Sequence, residues 1–144
     1  MNHKNLDVWV IALELVKQVY DLTKILPRNE QFALSDQLRR ASVSIPSNIA
    51  EGFGRDSNKE IVRYLVIARG SVNEIEAQYE IVVKLQFCEP NPELIRLIST
   101  TRKLLCGLIK KFKSKENSGH RSPITTHKIK ILLITQPGRP EKVF

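Results

Sequence analysis

The chain has 144 residues and a formal net charge of +8, from 23 Lys and Arg against 15 Asp and Glu. That length suits one domain with a real core, and 42% hydrophobic with 26% charged residues excludes wholesale disorder. Two cysteines, Cys88 and Cys106, exclude a disulfide-stapled scaffold, and no apolar run approaches the roughly 18 residues of a membrane span.

The first nine residues carry no apolar block or cleavage site, so no signal peptide is expected and the expected location is the cytoplasm. Helical periodicity begins at about Leu6 and runs to Leu26, with Asn5 expected as N-cap and Asp7 in the first turn. Trp9, Ala12, Val16, Val19, Thr23 and Leu26 step by three and four along one stripe. Leu6, Leu13 and Tyr20 recur every seven residues beside it and are expected to widen the buried face. Pro27 ends the helix, because the residue before a proline is pushed out of the α region.

The second helix is expected from about Glu30 to Gly54, capped at either Asn29 or Ser35. Leu34, Leu38, Ala41, Ile45, Asn48 and Gly52 keep the three–four step on both sides of Pro46, which predicts a kink rather than an end. Serine hydroxyls here are expected to serve carbonyls freed by the proline. Asn48 and Glu51 are expected to meet polar residues of the third helix such as Arg69 or Ser71, since buried polar groups need partners.

Ser57-Asn-Lys-Glu60 has capping-box spacing and opens the third helix, Asn58 to about Phe87. Ile61, Leu65, Ala68, Val72, Ile75, Tyr79 and Val82 form its stripe, the strongest periodic signal in the chain. Asn91-Pro92-Glu93 reads as N-cap, N1 proline and first-turn acid of the fourth helix, whose stripe is Leu94, Ile98, Thr101, Leu105, Leu108 and Phe112. Arg96, Lys103 and Lys110 stand seven apart on another face, with Arg102 and Lys111 adjacent. Lys113 and Lys115 lie in the last turns, where cations suit a helix C-terminus.

These segments predict an all-α chain: an antiparallel, up-down-up-down four-helix bundle over 1–117 with a kinked second helix. Residues 118–144 break the pattern with Gly119, Pro123, Pro137, Gly138 and Pro140, and Lys128–Thr135 is β-prone with no sheet to join. That tail is expected to be irregular or disordered, or ordered only by packing on a neighbouring subunit.

The charge is uneven. Residues 1–95 carry a net −2, residues 96–117 a net +6 and the tail a net +4. A basic end on a nearly neutral body points to a polyanionic partner such as RNA or DNA. The three histidines, His3, His120 and His127, lie at the chain ends, and no H-E-x-x-H, C-x-x-C or E-x-x-H pair exists. No catalytic, cofactor or metal site is therefore expected. Glu76 and Glu80 share a helix face, as solvated helices routinely arrange, and Gly52-Phe-Gly54 lacks the remainder of a phosphate loop.

Gln37-Leu-Arg-Arg-Ala-Ser-Val-Ser-Ile-Pro-Ser-Asn-Ile-Ala-Glu-Gly52 closely resembles the signature of the four-helix-bundle family of 23S rRNA intervening-sequence proteins. So do Val8–Leu13 with Val19-Tyr20, Leu34-x-x-Gln37, and Tyr64–Ser71 followed by Glu74. The resemblance covers about residues 5–113, and the tail has no counterpart in it. It implies a relation to the accessory proteins of diversity-generating retroelements, a ring-like homopentamer, and no catalytic residues. Those relatives resemble basic barrels that engage RNA and a reverse transcriptase. Members are encoded within insertions in bacterial large-subunit ribosomal RNA genes, or elsewhere without a settled role. The matching positions Gln37, Arg40, Ser44, Pro46, Asn48, Glu51, Gly52, Gly70 and Ser71 are expected to be architectural.

Two functional readings follow. One is a non-enzymatic homo-oligomer that binds RNA or DNA through the basic face of the fourth helix. The other is a scaffold for a partner enzyme such as a reverse transcriptase, without direct nucleic-acid contact.

Overall fold

The computed structural model describes residues 2–118. Four helices carry them: α1 (Asp7–Ile25), α2 (Leu34–Phe53), α3 (Asn58–Lys84) and α4 (Pro92–Ser118), with 3-10 turns at His3–Asn5 and Arg28–Glu30. Each helix packs on two others, α1 on α2 and α4, and α3 on α2 and α4, so α1 and α3 stand diagonally across the core. Along the α2–α3 seam, Gln37 meets Gln78, Ser44 meets Ser71 and Gly52 meets Tyr64. Numbers rising on one helix and falling on the other mean antiparallel neighbours, as short connections require. This is the predicted all-α bundle. The expected tail lies outside the described residues, apart from Ser118, which closes α4.

The helix starts show which local signals succeed. Asn91 Oδ1 accepts the backbone N–H groups of Glu93 and Leu94 at 3.1 and 3.2 Å, which makes it the α4 N-cap. Asn91 N–H in turn donates to the hydroxyl of buried Tyr79 at 2.6 Å, tying the α3–α4 connection to the core. Ser57 Oγ accepts from Glu60 N–H at 3.2 Å, but the Glu60 carboxylate turns to Arg63 at 3.5 Å. Helix α1 starts after Leu6, which gives no side-chain cap, because Asn5 belongs to the preceding 3-10 turn. That turn sets the His3 ring edge-on to Trp9 at 4.4 Å. Helix α2 starts at Leu34 rather than Glu30, after the Arg28–Glu30 turn, and neither Asn29 nor Ser35 caps it. Pro46 is buried inside α2 without ending it.

Helix α3 ends at Lys84, three residues short of the expected Phe87. Phe87 N–H donates to Val82 O and Gln86 N–H to Val83 O, a Schellman closure with Gln86 at φ 60°. Glutamine there lacks glycine's freedom, so the sequence gives no sign of the stop.

The predicted stripes of α3 and α4 are buried at every position. In α1 the core line is Val8, Ala12, Leu15, Val19 and Leu22, leaving Trp9 and Val16 half-buried. The expected widening by a second line is wrong: Leu6 is buried, but Leu13 is 46% and Tyr20 40% exposed. A seven-residue repeat stays near one line of a helix, and this one lies about 140° from the core line. Phe53 and Phe112 close the core edge-to-face, centroids 5.7 Å apart. Leu65, fully buried, is representative of the packing: truncation to alanine there costs about 2–5 kcal/mol.

Candidate nucleic-acid interface

Helix α4 buries Leu94, Leu97, Ile98, Thr101, Leu105, Leu108, Ile109 and Phe112 against α1 and α3. At 100° per residue, Arg96, Lys103 and Lys110 fall on the side opposite that stripe. The structure then divides the seven basic residues into three groups. Lys103, Lys110, Lys111 and Lys113 are exposed and make no ion pair among the described residues. Arg96 also faces outward, but both its Nε and Nη2 donate to Glu93, at 3.0 and 2.7 Å. That pair raises the guanidinium pKa and lowers the carboxyl pKa, each group favouring the charge of the other.

Arg102 and Lys115 turn away from the outer face. Arg102 donates from Nε to Asn73 Oδ1 at 3.1 Å and from Nη2 to Glu76, and only 31% of its side chain is exposed. It clasps α4 to α3. Lys115 sits over the Phe112 ring at 5.7 Å, where burial and then nearby Lys111 push its ammonium pKa down. A single seven-residue basic face is therefore replaced by a stripe of Arg96, Lys103 and Lys110 flanked by Lys111 and Lys113. Lys103 and Lys111 also border a hollow of about 100 Å³ with Leu6, Asp7 and Val8, which carries the basic surface to the N-terminal end of α1.

The residues behind the family resemblance sit elsewhere, mostly along the α2–α3 seam. Ser44 and Ser71 share a hydrogen bond at 2.9 Å, and Asn48 Nδ2 donates to Ser44 O at 2.7 Å and Oγ at 3.0 Å. Gln37 Oε1 accepts from Gln78 at 3.4 Å. A Cβ at Gly52 would stand 2.9 Å from Tyr64 Cβ, so the close approach of α2 and α3 needs glycine. Two expectations fail. Glu51 pairs within its own turn with Arg55, which also donates to Tyr64 Oη at 2.7 Å, and Arg69 reaches Cys106 Sγ of α4 at 3.9 Å. Ser42 and Ser47 hydroxyls donate to Arg39 O and Val43 O, one turn or less away, so neither serves the Ser42 carbonyl whose N–H partner Pro46 removes.

Arg40 and Gly70 take no part in packing. Arg40 is paired to Asp36 at 3.1 Å on the solvent side, and Gly70 is exposed with nothing within 4 Å of the place a Cβ would take. Asn73, the partner that withdraws Arg102, carries no sequence signal of its own; Glu76 reads as one of a solvated pair. Only the α3–α4 register brings them to Arg102.

Among the described residues, no group of three His, Cys, Asp or Glu could hold a metal ion, and no helix is long and apolar enough to cross a membrane. No curated protein matches the chain. The family model described as 23S rRNA-intervening sequence protein matches residues 4–110, which takes in α1, α2, α3 and most of α4. The chain belongs to the family of 23S rRNA-intervening sequence proteins.

Proposed function

We propose that the protein is a non-enzymatic homo-oligomer that binds RNA or DNA through the outer stripe of α4. The observation that supports this reading is that Lys103 and Lys110 project from the side of α4 farthest from the core and form no ion pair with a carboxylate among the described residues. Such a stripe would neutralise phosphates and release the counterions condensed on the nucleic acid, and assembly would repeat it once per chain. Lys111 and Lys113 extend the contact, while Arg96 exchanges Glu93 for phosphate. Arg102 and Lys115 serve the fold.

Assembly is suggested by apolar residues that the bundle leaves outside: Val10, Leu13 and Tyr20 on α1, and Val66, Ile67 and Ile81 on α3. The two sets lie on diagonal helices, so a contact of one with the other is head-to-tail, the type that closes rings. This suits the ring-like pentamer that the family resemblance implies.

The test is retention of RNA by the purified full chain across a salt series. Wild-type affinity should fall steeply with salt, and replacing Arg96, Lys103 and Lys110 by glutamine should lower affinity and flatten the slope. An unchanged slope in the triple variant sinks the reading. Absence of RNA retention at physiological salt, with recovery of a reverse transcriptase or other protein partner, supports the scaffold instead. Sequencing RNA that co-purifies with the chain identifies the target.

A further inference from the structure

Phe32 is the most exposed large apolar side chain among the described residues, at 90%. It stands in the α1–α2 connection, four residues after Arg28, whose exposed guanidinium makes no ion pair among the described residues. Ile25, 63% exposed, closes α1 just before them. Such a ring adds nothing to the core of a single chain, and buried aromatic anchors dominate contacts between proteins.

The feature that fits it lies where α3 gives way to α4. Tyr79 and Val83 of α3, Pro90 of the connection, and Ile95 and Ile98 of α4 line an apolar groove of about 410 Å³. Tyr79 and Ile98 form its buried floor, and Ile95, 49% exposed, stands on its open side. Glu76, Glu80 and Lys84 rim it. Glu76 holds Arg102, whereas Glu80 makes no hydrogen bond or ion pair among the described residues and is open to a second partner. The connection offers an apolar knob with a cation, and the groove an apolar hole with a carboxylate.

Their placement decides which copies meet. Gln37 of α2 accepts from Gln78 of α3 at 3.4 Å, so Phe32, five residues before Gln37, stands near the level of Tyr79 and Val83. Helices α1 and α3 each pack on both α2 and α4, so the α1–α2 and α3–α4 edges are opposite sides of the bundle. The bundle itself thus separates Phe32 from the groove of its own chain. Rotation about an axis parallel to the helices brings the α1–α2 edge of one copy to the α3–α4 edge of the next. It also keeps knob and groove level.

We propose, on the basis of the assembly inferred above, that Phe32 of one copy fills the α3–α4 groove of the next. There it covers Val83, Ile95 and Ile98, while Arg28 meets Glu80. Each copy gives one knob and receives one, so the contact is head-to-tail.

The experiment compares the full-length wild-type chain with Phe32→Ala by analytical ultracentrifugation over a dilution series. Circular dichroism checks that helicity is kept, as the exposure of the site leads us to expect. The dissociation constant of the assembly should rise about 30-fold or more in Phe32→Ala. Arg28→Glu should raise it about threefold, and adding Glu80→Arg should return it toward the wild-type value. Photo-cross-linking with p-benzoylphenylalanine in place of Phe32 should give products of two or more chains, linked at residues 76–98 of the second chain. A wild-type chain that stays monomeric overturns the assembly and the knob together. The knob alone is overturned if the chain assembles but its dissociation is unmoved by Phe32→Ala, or if the cross-links fall within one chain or outside residues 76–98.

Discussion

The α2–α3 seam and the outer stripe of α4 use polar residues in opposite ways. On the seam Ser44, Asn48, Ser71, Gln37 and Gln78 find one another, and Gly52 lets two backbones approach; their polarity is consumed within the chain. On the stripe Lys103 and Lys110 find no partner among the described residues, and their charge faces outward. The residues that carry the family resemblance and those that support binding are thus nearly disjoint. A motif can identify a fold while giving little information about the surface that acts.

Changes at the seam should break the fold first. Gly52→Val should cost about 2–3 kcal/mol in urea unfolding, because its Cβ meets Tyr64 Cβ at 2.9 Å and two helices must part. Loss of less than about 1 kcal/mol would mean that the seam yields easily and that the close approach is incidental.

Changes on the stripe should leave stability alone and act on binding. Lys103→Gln/Lys110→Gln should keep the thermal midpoint and lower RNA affinity by about tenfold at 0.1 M salt, with a salt slope shallower by about 1.4–1.8 per chain. Arg102→Gln inverts the pattern. It should lower stability by about 0.5–1 kcal/mol, a value reduced for its partial exposure, and leave the salt slope unchanged. If Arg102→Gln flattens the slope as much as Lys103→Gln, the division of α4 into clasp and stripe fails.

Two smaller effects refine the comparison. Gly70→Ala should raise monomer stability by about 1 kcal/mol, since the site is open and alanine is the better helix former. A fall in assembly mass for that variant would place Gly70 at a contact between chains. Gln86→Gly should add about 0.5–1 kcal/mol by relieving the left-handed residue that closes α3, measurable as a shift in the urea midpoint.

The long stripes of α3 and α4 are legible in the sequence because their three–four step coincides with the buried line at every position. Helix α1 is legible only in part, since Leu13 and Tyr20 obey a period that says nothing about which line faces inward. The starts at Ser57 and Asn91 are readable because their caps are local, whereas Gln86 closes α3 without glycine. The site is the least legible part. Seven cations on one helix look like one face, and only the α3–α4 register shows that Asn73 and Glu76 hold Arg102.

Trp9 is the chain's one tryptophan, and the His3 ring stands edge-on to it at 4.4 Å. It lies within a turn of Leu6 and Val8, which border the same hollow as Lys103 and Lys111. The molecule therefore has a native fluorophore beside its basic surface. Its emission can report a polyanion arriving there without any attached dye.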